Sequence, residues 1–150
     1  MKYILALLLS IPFFISCSDD EGPQNFLERY DNSVWEINFD GVPLVYNKFH
    51  NNESNPIVEW HKNVNLNCFY FFSIENAGGG LIEVSNNRII IEIPHPGTTN
   101  DYRNLTFTEN GNTINLKVEV FENGISKSVV NYVLNRSSFK PQNVQICNNN

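Results

Sequence analysis

Two Asn-Gly dipeptides, Asn110-Gly111 and Asn123-Gly124, sit between segments whose apolar residues alternate. Such a pair supplies positive φ at both central positions of a type I′ turn, whose twist matches that of the strands it joins. Segments 105–109 and 112–121 flank the first pair, and 113–122 and 125–135 flank the second. Within them Ile114, Leu116, Val118 and Val120 alternate with Asn115, Lys117 and Glu119. Ile89, Ile91 and Ile93 alternate with Arg88, Ile90 and Glu92, and Trp35, Ile37 and Phe39 with Val34, Glu36, Asn38 and Asp40. A period of two with one apolar face describes a sheet wetted on one side. Asn86-Asn87 joins 81–85 to 88–93, and Gly78-Gly79-Gly80 joins 66–75 to 81–85. Links this short make successive strands antiparallel neighbours. Asn supplies 25 of the 150 residues; it is poor in helix interiors and good in turns, which argues against long helices.

The fold class expected is therefore all-β: an antiparallel up-and-down meander of about eight strands at 33–40, 43–49, 66–75, 81–85, 88–93, 104–109, 112–121 and 125–135. One helical turn is expected at 26–30. Residues 51–63 are polar and read as a loop or a short irregular helix. In 66–75, Leu66, Cys68, Tyr70, Phe72 and Ile74 share one face, while Phe69 and Phe71 share the other. A strand apolar on both faces needs a cover other than water. The tail after residue 136 carries no pattern, so disorder is expected there.

The N-terminus reads as a targeting segment. Lys2 precedes an apolar run from Tyr3 to Ile15, too short for the roughly 20 residues that span a bilayer. The run ends Phe14-Ile15-Ser16-Cys17, which resembles the bacterial lipobox, with Phe14 where that motif has an aliphatic residue. The resemblance implies cleavage before Cys17 and its lipidation; an ordinary signal peptide is the alternative. Asp19, Asp20 and Glu21 follow directly. They resemble the acidic export signal that sends some lipoproteins to the cell surface, although a plain solvated tether has the same composition. The domain map is then a signal peptide at 1–16, a lipidated tether at 17–25, a β-barrel domain at 26–138 and a tail at 139–150. The expected location is the outer membrane, on its cell-surface or periplasmic face.

Ser33-Val34-Trp35 near the start and Tyr132-Val133-Leu134-Asn135-Arg136 at the end of the meander carry a resemblance to the lipocalin-like group. Its members have Gly-x-Trp on the first strand and a cation after the last. Ser33 here replaces the Gly. The resemblance implies a closed barrel in which first and last strands pair and Arg136 stacks on Trp35. A β-sandwich is the alternative fold.

Candidate chemistry is sparse. Lys+Arg number 10 and Asp+Glu 16, a net charge of −6, and the absence of a basic run argues against nucleic acid as partner. None of the motifs for nucleophilic, metal-dependent or phosphate chemistry occurs. His50, His61 and His95 lack metal-ligand spacing. A metal or catalytic site would need His61, His95 and Asp101 to converge from separate loops. The expectation is no enzyme, no cofactor and no metal. Cys68 and Cys147 remain after Cys17, and they form either a disulfide or two free thiols. Trp60, Tyr46, Phe49 and Tyr102 lie in or near presumed loops, where they could form a ligand platform or plug a barrel end. Sequons at Asn52, Asn104 and Asn135 are expected by chance in an Asn-rich chain.

Two functions follow. One is a lipid-anchored, exported β-barrel binding module for a small apolar ligand, attached to the membrane by its lipid. The alternative is a surface lipoprotein with a filled barrel that docks on a protein partner in an immunity, adhesion or assembly role. The interior separates them. The inward set of Trp35, Ile37, Phe39, Leu66, Tyr70, Phe72, Ile91, Leu116 and Val118 is bulky, which leans towards a filled interior.

Overall fold

The computed structural model describes residues 24–147. Helix α1 (Phe26–Tyr30) is followed by β1 (Val34–Phe39), β2 (Val42–Phe49), β3 (Ile57–Asn63), β4 (Cys68–Ser73), β5 (Gly80–Val84), β6 (Arg88–Pro94), β7 (Tyr102–Asn110), β8 (Thr113–Glu122) and β9 (Ile125–Arg136). All pairings are antiparallel, in the order β4-β3-β2-β1-β9-β8-β7-β6-β5. The meander thus has nine strands rather than about eight. The added one is β3, within the segment read from sequence as a loop.

The turns follow backbone chemistry. Asn123 and Gly124 both have positive φ, the type I′ pattern. At the preceding hairpin Asn110 instead pairs with Thr113. The loop is thereby displaced by one residue to Gly111-Asn112, with positive φ at Gly111 but not at Asn112, the type II′ pattern. Asp40 and Gly41 form a further positive-φ pair between β1 and β2.

The sheet is not closed into a barrel. β1 and β9 do pair, through Trp35↔Arg136, Glu36↔Asn135 and Ile37↔Leu134. That ladder lies inside the sheet, so the expected closing seam at Trp35 and Arg136 is an ordinary interior pairing. The outermost strands are β4 and β5, which do not pair with each other. The connection between them is tightly wound. Ala77 N–H donates to Ser73 and Ile74 O, and Gly79 N–H donates to Ile74 O, winding the chain into tight turns. Ile74 is buried in the core there. A Cβ on Gly79 would lie 2.9 Å from both Glu92 O and Ile74 Cγ2, so the backbone can pass only as glycine. β5 emerges directed at β6 and not back along β4.

Although open, the sheet coils strongly. β2 and β7 stand four places apart in the order, which at about 4.8 Å per strand is roughly 19 Å in a flat sheet. Yet the Phe49 and Phe107 rings are 5.2 Å apart, edge to face. One core runs from β1 to β9, with Ile37, Ile57, Ile91, Phe107, Ile114 and Leu134 on the concave face. α1 plugs one end. Asn25 Oδ1 accepts from Glu28 N–H and Glu28 Oε2 accepts from Asn25 N–H, both at 3.0 Å, a capping box. The helix inserts Phe26, Leu27 and Tyr30 into the core, with the Phe26 ring 5.2 Å from Phe49.

The tail is ordered through Cys147. Beyond β9, Ser137 N–H donates to Val34 O, a 3-10 turn covers Pro141–Asn143, and Ile146 bridges in parallel to Phe69 on β4. Phe139 stacks on Tyr46 at 3.9 Å within a second cluster of Val34, Tyr46, Val58 and Trp60 on the convex face. This segment is the cover that the second apolar face of β4 requires: Phe69 packs under it, while Phe71 remains exposed. Sequence periodicity is silent about the segment because it has no repeating partner of its own.

Candidate functional site

At the end of the core away from α1, the concave face leaves a cavity of about 330 Å³. It is built by alternation. Each strand turns every second side chain inward, and β1 contributes Ile37 and Phe39, β2 Val45, β4 Phe72, β6 Ile93, β7 Leu105, β8 Leu116 and Val118, and β9 Tyr132. Phe39 and Tyr132 meet edge to face, 5.9 Å between ring centres. The interior is therefore packed around α1 and hollow at the other end. Of the inward set read from sequence, Leu66 departs most: it lies in the β3–β4 turn and is 66% exposed.

Polar groups enter the cavity from two walls. On β3 the inward positions are Glu59 and His61, while Val58 and Trp60 point outward beneath the tail. Glu59 Oε2 lies 2.8 Å from His61 Nε2, and the Glu59 side chain is only 13% exposed. Arg103 of β7 lies on the other wall and is exposed. Next to Glu59 across the ladder stands Asn47 of β2, which also faces Trp35 on β1. Asn47 is completely buried, and neither its Oδ1 nor its Nδ2 has a hydrogen-bond partner. A second depression of about 400 Å³ lies beside the first, formed by His95, Asp101, Tyr102, Arg103 and Phe121.

The residues singled out by sequence fall as follows. Arg136 Cζ lies 5.4 Å from the Trp35 ring centre, a contact of about 0.5–2 kcal/mol depending on desolvation. Ser33, standing where a Gly was expected, has a specific part in this corner. Its Oγ accepts from Trp35 Nε1 at 2.8 Å and donates to Tyr30 O at 2.5 Å, fixing the indole against α1. Cys68 and Cys147 are disulfide-bonded, with Cα atoms 5.1 Å apart. Cys17, Asp19, Asp20 and Glu21 lie outside the described residues, as do the signal peptide and most of the tether.

Trp60, Tyr46 and Phe49 are buried, the first two under the tail and the third in the core. No aromatic platform forms from them, because each belongs to a strand and not to a loop. Tyr102 stacks on Phe121 at 4.5 Å. The histidines stay apart: His61 lines the cavity and His95 a neighbouring depression. His50, just past β2, has its pKa lowered below the ordinary value, first by burial and then by Lys48. Tyr46 is raised, by burial and then by Glu36. Among the described residues no group of three or more His, Cys, Asp or Glu side chains is placed to hold a metal, and no helix is long and apolar enough to cross a membrane.

Glu59, Asn47 and Arg103 were not found from sequence as site residues. The available signal was the alternation within Ile57–Asn63, where apolar Val58 and Trp60 interleave with polar Glu59 and His61. Comparison with known proteins gives no match to a family model, a curated protein or a solved structure.

Proposed function

We propose that this chain is a binding module that holds a small, largely apolar ligand in the concave-face cavity. The observation that carries the reading is the void itself: about 330 Å³ lined by eight of the nine strands, with few polar groups. That volume is at the lower end of the range for small-molecule sites, and an apolar lining with a few convergent polar groups is their usual character. The tight plug at α1 leaves the opposite end as the entrance. A neutral, environment-sensitive apolar dye should bind to the full chain and brighten. Val118→Trp, which projects a large ring into the void, should weaken dye binding by at least about ten-fold, or 1.4 kcal/mol. The thermal midpoint should hold within a few degrees, because the ring fills empty space. Unchanged dye affinity in this variant would remove the cavity as the site.

The same reading puts the module outside the cytoplasm, tethered through a lipid on Cys17 at the outer membrane. The Cys68–Cys147 disulfide supports an oxidising compartment, and the lipobox-like end of the leader supports the anchor. Cys17→Ser should abolish palmitate labelling and release the protein from the membrane fraction. Labelling that persists in this variant would refute the anchor.

A further inference from the structure

We propose that the cavity is selective for a small organic cation, an apolar body of about ten non-hydrogen atoms with one ammonium head placed against Glu59. This rests on the ligand-binding reading above and specifies the chemical class of the ligand. The size follows from the cavity, whose 330 Å³ is about eleven times the roughly 30 Å³ share of a liquid water.

The place of the head group and its charge follow from four observations. First, Glu59 places a carboxylate in an otherwise apolar wall with only 13% of its side chain exposed. A carboxylate so placed is costly unless paired. Its one hydrogen-bond partner among the described residues is His61, which engages Oε2 alone and is itself 47% exposed. Oε1 remains for a donor. Second, the neighbouring Asn47 is fully buried with an unpartnered Oδ1. It sits on the inner face directly across from Glu59 and two residues from Val45, and both of those line the cavity. Its Nδ2 is unpartnered as well, so the amide marks this wall as the polar end of the cavity and can meet a donor or an acceptor. Third, Phe39, Phe72 and Tyr132 line the same space, and aromatic faces attract cations. Fourth, the net charge of −6 favours approach of a cation over an anion. Two features favour an anion: Arg103, which stands exposed on another strand's wall, and the unpartnered Asn47 Nδ2, which lies behind the cavity lining.

Three probes with one body separate these possibilities: 3-phenylpropylamine, 3-phenylpropanol and 3-phenylpropionate. Each is titrated calorimetrically into the full chain at neutral pH and low salt. The amine should bind at least about ten-fold more tightly than the alcohol, and the carboxylate most weakly. Glu59→Gln should remove the advantage of the amine over the alcohol. A carboxylate that equals or exceeds the amine overturns the proposal in favour of Arg103. An amine advantage that survives Glu59→Gln overturns it as well. If this variant does not fold, the order of the three probes on the native chain decides. Binding of the alcohol without an amine advantage ends the cationic preference while keeping the ligand-binding reading. If none of the three probes nor the neutral dye binds, both are lost.

Discussion

Removing the Cys68–Cys147 bond by the double substitution Cys68→Ser and Cys147→Ser should cost about 4–5 kcal/mol, and the thermal midpoint should fall by on the order of 10–20 °C. The bond closes a loop between positions 79 apart, and in the chain-entropy model a loop of that length restricts the unfolded ensemble by that amount. Natural domains have only about 5–15 kcal/mol in total, so about a third of the margin or more is at stake. The structure adds a local effect. The bond pins residues 137–147 to β4, where Phe69 N–H donates to Gln145 O and Cys147 N–H donates to Phe69 O, both at 2.9 Å. Without it the strap should lift from Tyr46, Val58 and Trp60, and protease should cut after Phe139. Urea titration gives the free energy and limited proteolysis the strap. A loss under about 1 kcal/mol with an uncut tail would mean that the convex-face packing holds the segment by itself.

Phe49→Ala should cost about 3–5 kcal/mol, the range for deleting a buried aromatic ring. Phe49 is fully buried and meets three rings on two other elements: Phe26 at 5.2 Å and Tyr30 at 6.3 Å on α1, and Phe107 at 5.2 Å on β7, between ring centres. The site cannot easily collapse, because α1 is held from the far side by the Phe26 N–H···O Ser85 bond at 2.9 Å and by the Arg29–Glu109 ion pair. Hydrogen exchange should show α1 amides losing protection along with global stability. A cost below about 1.5 kcal/mol would mean that the plug is not part of the cooperative core.

Legibility from sequence divides along physical lines. β6 and β8 are readable because the concave face is apolar there and the convex face is wet, so a period of two appears directly in Ile89, Ile91 and Ile93 and in Ile114, Leu116 and Val118. α1 is readable as one turn, and Asn25 with Glu28 explains its start. β3 alternates too, but the assignment of its faces fails: its inner face is polar where it lines the cavity, and its outer face is apolar where the tail covers it. The same inversion hides Glu59. The tail is illegible because its order comes from a sheet face remote in sequence and from one covalent bond. Closure is illegible for a related reason. Turn signals at Asn86-Asn87 and Asn123-Gly124 say that neighbours pair, but no local signal reports whether the two outermost strands meet.

The β1–β9 ladder has a consequence for the time course of folding. Every other pairing joins strands consecutive in sequence, which hairpins can nucleate quickly. Only Trp35–Ile37 with Leu134–Arg136 requires residues roughly a hundred positions apart to find one another, and they are rewarded by three paired positions. The two meanders, β1–β4 and β5–β9, are therefore expected to dock late, because non-local contacts incur loop-closure entropy before they stabilise anything. An oxidised Cys68–Cys147 pair ties the end of the second meander to the far strand of the first, shortening that search before docking begins. Refolding in reductant is therefore expected to lag most at the step that joins the halves, and not at the hairpins.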